Sequence, residues 1–130
     1  MPAIHEKGRS RIRDVLKAAL KHVGLSTDTT AFDDADTVLD PANGGAGTLI
    51  IKEGVVTDID ANTYRTTISI NNRGPGNDEF EDVDVATIGL LGSADRNDTV
   101  SRTLRTRTVG LEDNDLADFA VDVIVEDNTP

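Results

Sequence analysis

The chain has no cysteine and no tryptophan, and only one tyrosine and three phenylalanines among its 130 residues. Without cysteine there are no disulfides and no thiolate metal sites. With so few aromatics the core must rest on Val, Ile and Leu, each contributing roughly 1.5–3 kcal/mol when fully buried. An oligomer interface would usefully supplement such a core, and the expectation is a homo-oligomer, a trimer first. The longest apolar runs are a few residues, far short of the about 20 that span a bilayer, so no membrane insertion is expected. Pro2 and the charged residues after it do not make a signal peptide, and the expected site of synthesis is the cytoplasm. The length suits one domain and is too short for two comfortable ones.

Lysine is the other scarce residue. Of 13 basic residues 9 are Arg and 4 are Lys, against 18 Asp and 6 Glu, with 15 Thr and a net charge of −11. That excess repels itself in dilute buffer. In molar salt the Debye length falls to about 3 Å, and the carboxylates then serve mainly to hold a hydration layer. A mesophilic acidic protein with Ca²⁺ sites is the competing reading. Low Lys beside high Asp and Thr favours an extreme halophile, of archaeal type.

The charge is divided unevenly. Residues 1–25 carry six basic and two acidic groups (6 − 2 = +4), and residues 26–130 carry seven and 22 (7 − 22 = −15). In the first segment Ile12, Val15, Leu16, Ala19, Leu20 and Val23 recur at three- and four-residue steps, one stripe of an amphipathic helix. Arg13, Lys17 and Lys21 are four apart and share an edge of it. The plain reading of that edge is a solvated face. The sharper one is docking onto an acidic neighbour, another copy's β-body included. Nucleic acid is not expected, because the bulk charge has the wrong sign and no aromatics interleave with the basic residues.

Past residue 25 the period changes from 3.6 to two. Tyr64, Thr66, Ile68 and Ile70 alternate with polar residues, as do Phe119, Val121, Val123 and Val125 with their neighbours. A first strand is expected near His22–Ser26, with Gly24 as helix C-cap or strand entry. Further strands are expected at 48–57, 63–72, 83–91, 99–109 and 116–126, a short helical turn at 37–39 and a loop at 40–47. The predicted fold is mainly β: a small antiparallel β-sandwich or barrel with one N-terminal amphipathic helix. Residues 1–24 form the basic helical unit and 25–130 the acidic β-domain, one compact domain in all.

Site motifs are absent from the pattern. No Ser sits in a nucleophile elbow, and carboxylates are too common to single out a glycosidase pair. Gly44-Gly45-Ala46-Gly47 lacks the Lys-Ser/Thr of a phosphate loop. His5 lies in the N-terminal lead, and His22 marks the helix end, where a dipole favours it. Asn97-Asp98-Thr99 is a glycosylation sequon in an expected exposed loop, read as unused in a protein assembled in the cytoplasm. Acidic clusters offer hard oxygens, and the first metal candidate is Glu112, Asp113 and Asp115 in a tight interstrand turn. Decoration of salt-adapted loops explains such clusters equally well. Neither a catalytic residue nor a cofactor is expected, and the chain reads as no enzyme.

Several segments taken in order carry a resemblance: Lys7-Gly8-Arg9-Ser10-Arg11-Ile12-Arg13-Asp14-Val15-Leu16, His22 to Thr27, Thr30 to Leu39, Val83-Asp84-Val85-Ala86-Thr87-Ile88-Gly89-Leu90-Leu91, and Phe119 to Val125. Their layout resembles a family of small virion proteins of tailed viruses, the phage-type tail-fibre or tail proteins. Thr87 stands where that family usually has an acidic residue, and Leu91 where it has an aromatic. The resemblance implies a virion component, and the composition points to a haloarchaeal virus. The implied role is a tail-fibre or baseplate part with assembly and adhesion duties. Its partners would be further copies, other tail or capsid proteins, and a host cell-surface receptor. The expected interface is Ile12, Val15, Leu16, Ala19 and Leu20, with Arg13, Lys17 and Lys21 setting register. A capsid turret or decoration protein, or a non-viral halophilic binding module, are the alternatives.

Overall fold

Two antiparallel sheets organise the chain from His22 onward, in a computed structural model that describes residues 4–28, 39 and 49–126, and of residues 105–107 only the backbone. Helix α1 spans Glu6–Ala19. The strands are β1 (His22–Ser26), β2 (Leu49–Glu53), β3 (Val55–Asp60), β4 (Thr63–Asn71), β5 (Val83–Leu91), β6 (Thr99–Leu111) and β7 (Leu116–Ile124), with a short 3-10 turn at Arg96–Asp98. One sheet has the order β2-β1-β5-β6 and the other β3-β4-β7. The fold is mainly β, one sheet curling into a half-barrel, with a single N-terminal helix.

The core follows from the two-residue period. Val23 and Leu25 of β1, Ile68 and Ile70 of β4, Val85 of β5, Leu111 of β6 and Phe119 of β7 meet between the sheets, joined by Phe80. On β4 the alternation is nearly complete: Tyr64, Thr66, Ile68 and Ile70 are buried, and Arg65 and Ser69 are exposed. In register with it, β7 sets Phe119 beside Ile68 and Val121 beside Thr66. The outward pairs are polar, with Arg65 Nε donating to Asp122 Oδ1 at 2.7 Å and Ser69 Oγ to Asp118 Oδ1 at 2.6 Å.

The expected strand at 48–57 is two strands in different sheets. The chain turns at Gly54, whose N–H donates to the Lys21 carbonyl at 2.8 Å. A Cβ there would collide with the Thr66 hydroxyl and lie 3.0 Å from the Lys21 carbonyl oxygen. The stretch Leu49–Val56 therefore begins on one sheet and ends on the other. Gly24, expected as a helix cap or strand entry, lies mid-strand, opposite Ile51 on one side and Gly89 on the other. Leu39 is fully buried over this pair of glycines, where a Cβ on Gly24 would collide with its side chain. That contact explains why β1 and β5 are buried on both faces. The remaining residues of the expected turn at 37–39, and the whole of the loop at 40–47, lie outside the described residues.

Candidate assembly surface on the N-terminal helix

α1 is attached to the β-body by polar groups. Arg9 Nε donates to Asn62 Oδ1 at 2.7 Å, Ser10 Oγ to the Ala61 carbonyl at 2.9 Å, and Arg13 Nη1 to the Asp60 carbonyl at 2.6 Å. Lys17 Nζ donates to Asp58 Oδ1 at 2.9 Å, and Arg13 Nη2 lies 3.6 Å from Asp58 Oδ2. These partners belong to the hairpin of β3 and β4. Its turn presents carbonyls and short carboxylates, the acceptors that Arg and Lys satisfy. At the helix end the buried Tyr64 hydroxyl donates to the Leu20 carbonyl at 2.6 Å, and Thr66 Oγ1 donates to the Lys21 carbonyl at 2.9 Å. The first closes a carbonyl that the helix terminus leaves open, and the second joins the Gly54 N–H on the carbonyl just beyond it. Burial raises the Tyr64 phenol above its ordinary range, which keeps it a donor.

The expected interface residues therefore divide into two groups. The basic edge meets an acidic neighbour in its own chain: Arg13 and Lys17 at Asp58, and Lys21 at Glu53, 3.0 Å away. Of the apolar stripe, Leu16 and Leu20 are half-buried, while Ile12 is 38% and Val15 69% exposed, and Ala19 is exposed too. No residue of α1 is fully buried. On a helix of 3.6 residues per turn, the centre of the exposed stripe (Ile12, Val15, Ala19) stands about 140° from the centre of the bonded edge. Lys7 and Arg11 flank the stripe, exposed, and neither makes an ion pair among the described residues.

Charge along the bonded edge is mutually compensated. Hydrogen bonds from Arg13 and Lys17 hold the Asp14 carboxyl below its usual range, and Asp58 chiefly raises Lys17. Lys21 does the same to Glu53 as the cations do to Asp14. These pairs are solvent-exposed, and water and salt screen such pairs so that each adds little to stability.

The metal candidate is a structural turn. The Glu112 N–H donates to Asp115 Oδ2 at 2.8 Å, and Asn114 adopts a left-handed φ of 67°. Asn72, almost fully buried, ties this turn to the preceding loop: its Nδ2 donates to the carbonyls of Phe80 and Glu112 at 2.9 and 3.1 Å, and its Oδ1 accepts from the Phe80 N–H. Asp113 faces Glu81, whose carboxyl it raises. Among the described residues no three His, Asp or Glu side chains converge to hold a metal ion. His22 is the first residue of β1 rather than a helix terminus, and its Nδ1 is buried without a hydrogen-bond partner. Asn97 is exposed in the 3-10 turn, as expected of the sequon. The tying roles of Asn62, Tyr64 and Asn72 are not announced by the sequence. The one available signal is the lone Tyr of the chain, set on the inward face of an alternating strand.

No protein-family model matches the chain, and neither a curated protein nor a solved structure matches it.

Proposed function

We propose that the chain is a non-enzymatic assembly subunit of a salt-adapted tailed virus, a tail-fibre or baseplate part of the virion anchored through α1. One observation carries the reading: α1 grips its own body with its polar edge and leaves Ile12, Val15 and Ala19 of its apolar stripe facing outward. Water-facing apolar stripes on a helix that is already attached serve contact with something else. The resemblance in layout to tail proteins supplies the particle, and the Asp-rich, Lys-poor surface supplies the environment. The remaining virion proteins, and a host surface receptor for the distal loops, are the partners in this reading.

Incorporation tests it. Virions encoding Val15→Asp should contain at least about tenfold less of the protein, the equivalent of 1.4 kcal/mol of lost contact. Val15 touches too little of its own body for the fold to suffer. Normal incorporation of that variant would overturn the reading.

A further inference from the structure

The outward side of α1 is complementary to itself. We propose that a second copy of this chain docks there, α1 against α1, antiparallel about a two-fold axis. This rests on the assembly reading and names the first partner. In a symmetric antiparallel pair, each flank of the helix meets the same flank of its copy. Lys7, Arg11 and Asp14 all lie on one flank of the stripe. Centring the axis between Arg11 and Ile12 brings the two copies' Ile12 together beside the axis and sets the second copy's Val15 level with Gly8. In that register the second copy's Asp14 stands level with residue 9, about 3 Å along the axis from both Lys7 and Arg11 at 1.5 Å rise per residue. The Asp14 side chain is half exposed, so it can accept from the second copy's Arg11 while bonded to Arg13 and Lys17.

The placement of the bodies agrees with this occupant. The stripe lies nearly opposite the edge that grips the hairpin, so the two acidic bodies fall on the outer sides of a two-helix layer. Two helices of about 10 Å diameter separate them, which exceeds the about 3 Å Debye length of the molar salt in which the chain is expected to fold. Pairing through the helices is therefore a contact that two strongly negative bodies tolerate. One 14-residue helix face is short of the about 1,600 Å² of a standard interface. The pair is accordingly expected at high protein concentration, or where a particle holds copies together.

A chain without cysteine allows the geometry to be read with single cysteines. Ile12→Cys lies beside the axis, within the Cα separation of about 4.4–6.8 Å that a disulfide needs, and mild oxidation at about 10 mg/ml should link it into a dimer. Ala19→Cys should stay monomeric, since its two copies stand about 22 Å apart along the axis. Adding Val15→Asp to Ile12→Cys should cut the linked fraction about tenfold with an unchanged circular dichroism spectrum and Tm, and adding Arg11→Glu should cut it severalfold. Linkage at both Ile12→Cys and Ala19→Cys, or trimers in place of dimers, would overturn the antiparallel pair. No linkage at Ile12→Cys would overturn self-docking altogether. If Val15→Asp protein is then still missing from virions, α1 meets a different virion protein and the assembly reading stands. If Val15→Asp loads normally, the assembly reading falls as well.

Discussion

The helix and the sandwich use opposite parts of their chemistry to hold themselves in place. Between the sheets, Val23, Leu25, Ile68, Ile70, Val85 and Phe119 are buried and the polar residues face out. On α1 the charged edge faces in, and Ile12, Val15 and Ala19 face out. An amphipathic helix beside a sheet is ordinarily expected to lay its apolar stripe on the core. What decides here is the surface it meets. The β3–β4 hairpin ends in Asp58, Asp60, Ala61 and Asn62, a rim of acceptors that an apolar stripe would desolvate without replacement. The apolar side is thereby left over, and that is what makes α1 a candidate for assembly.

Salt should separate the two regions most strongly. The β-body carries the −15 imbalance and repels itself, so screening helps it. The clasp on α1 is made of exposed ion pairs, so screening weakens it. Dilution from molar salt to about 0.1 M should abolish the β signal in circular dichroism. Amide exchange in α1 should be faster at molar salt than at the lowest salt where the sheets persist. A spectrum unchanged on dilution would remove the halophilic reading. Exchange in α1 that slows with added salt would show that the clasp is not ionic.

Truncation gives the next largest contrast. Leu25→Ala opens a cavity between the sheets and should cost about 2–5 kcal/mol in denaturant unfolding. Val15→Ala should stay within about 0.5 kcal/mol of the parent, as surface substitutions usually do. Comparable losses at the two positions would mean that the stripe supports its own fold.

How far the sequence disclosed this division can be judged residue by residue. β4 and β7 were legible because their alternation is local and one face of each packs on the core, and β5, buried on both faces, was legible from the turn residues that bound its run. The break at Gly54 was not, because Val, Ile and Leu run on both sides of it. What forces the turn is the approach of Thr66 and the Lys21 carbonyl, remote in sequence. Gly24 misled for the same reason: a glycine after a helix suggests a cap, whereas here it makes room for Leu39. The helix itself was plain from its stripe. Which side it would bury was not, since its seat lies some forty residues downstream at Asp58–Asn62. Basic residues at spacing four announced a docking edge without saying that the dock was in cis.

Removing the seat at the helix end is a smaller perturbation. Tyr64→Phe keeps the ring in the core and leaves the Leu20 carbonyl without its donor. The loss should be about 1 kcal/mol, the net worth of one neutral hydrogen bond. Amide exchange should speed up in the last turn of α1 while β5 and β6 are unaffected. A change spread evenly over the sheets would mean that Tyr64 acts through packing and that the helix is not independently seated.

Mild acid should set the two ends of β4 against each other, with the smallest effect of all. At the helix end, Asp14 is held below its ordinary 3.8 by Arg13 and Lys17, and Lys17 is raised above its ordinary 10.5 chiefly by Asp58. A lowered acid stabilises the fold above its unfolded value and stops doing so as pH falls through the folded one. A raised base stabilises below its unfolded value and stops as pH rises through the folded one. The clasp is therefore complete from about pH 4 to about pH 10. At the loop end, Glu81 is raised above its ordinary 4.5, first by its hydrogen bond with Asp113 and then by desolvation and the neighbouring carboxylates. Because the folded state holds this proton more tightly, the contribution is present below 4.5 and fades as pH rises through the raised value. Lowering the pH from about 7 to about 5 should raise the amide protection factors, exchange corrected for its intrinsic pH dependence, in the 79–82 and 112–115 turns and leave those of α1 unchanged. Glu81→Gln should flatten the response of the turns by removing the titrating group. If Glu81→Gln keeps that response, another of the crowded carboxylates carries it. If α1 responds as strongly as the turns, the two ends are coupled through the sheet, and the separation of helix from sandwich is less complete than their contacts indicate.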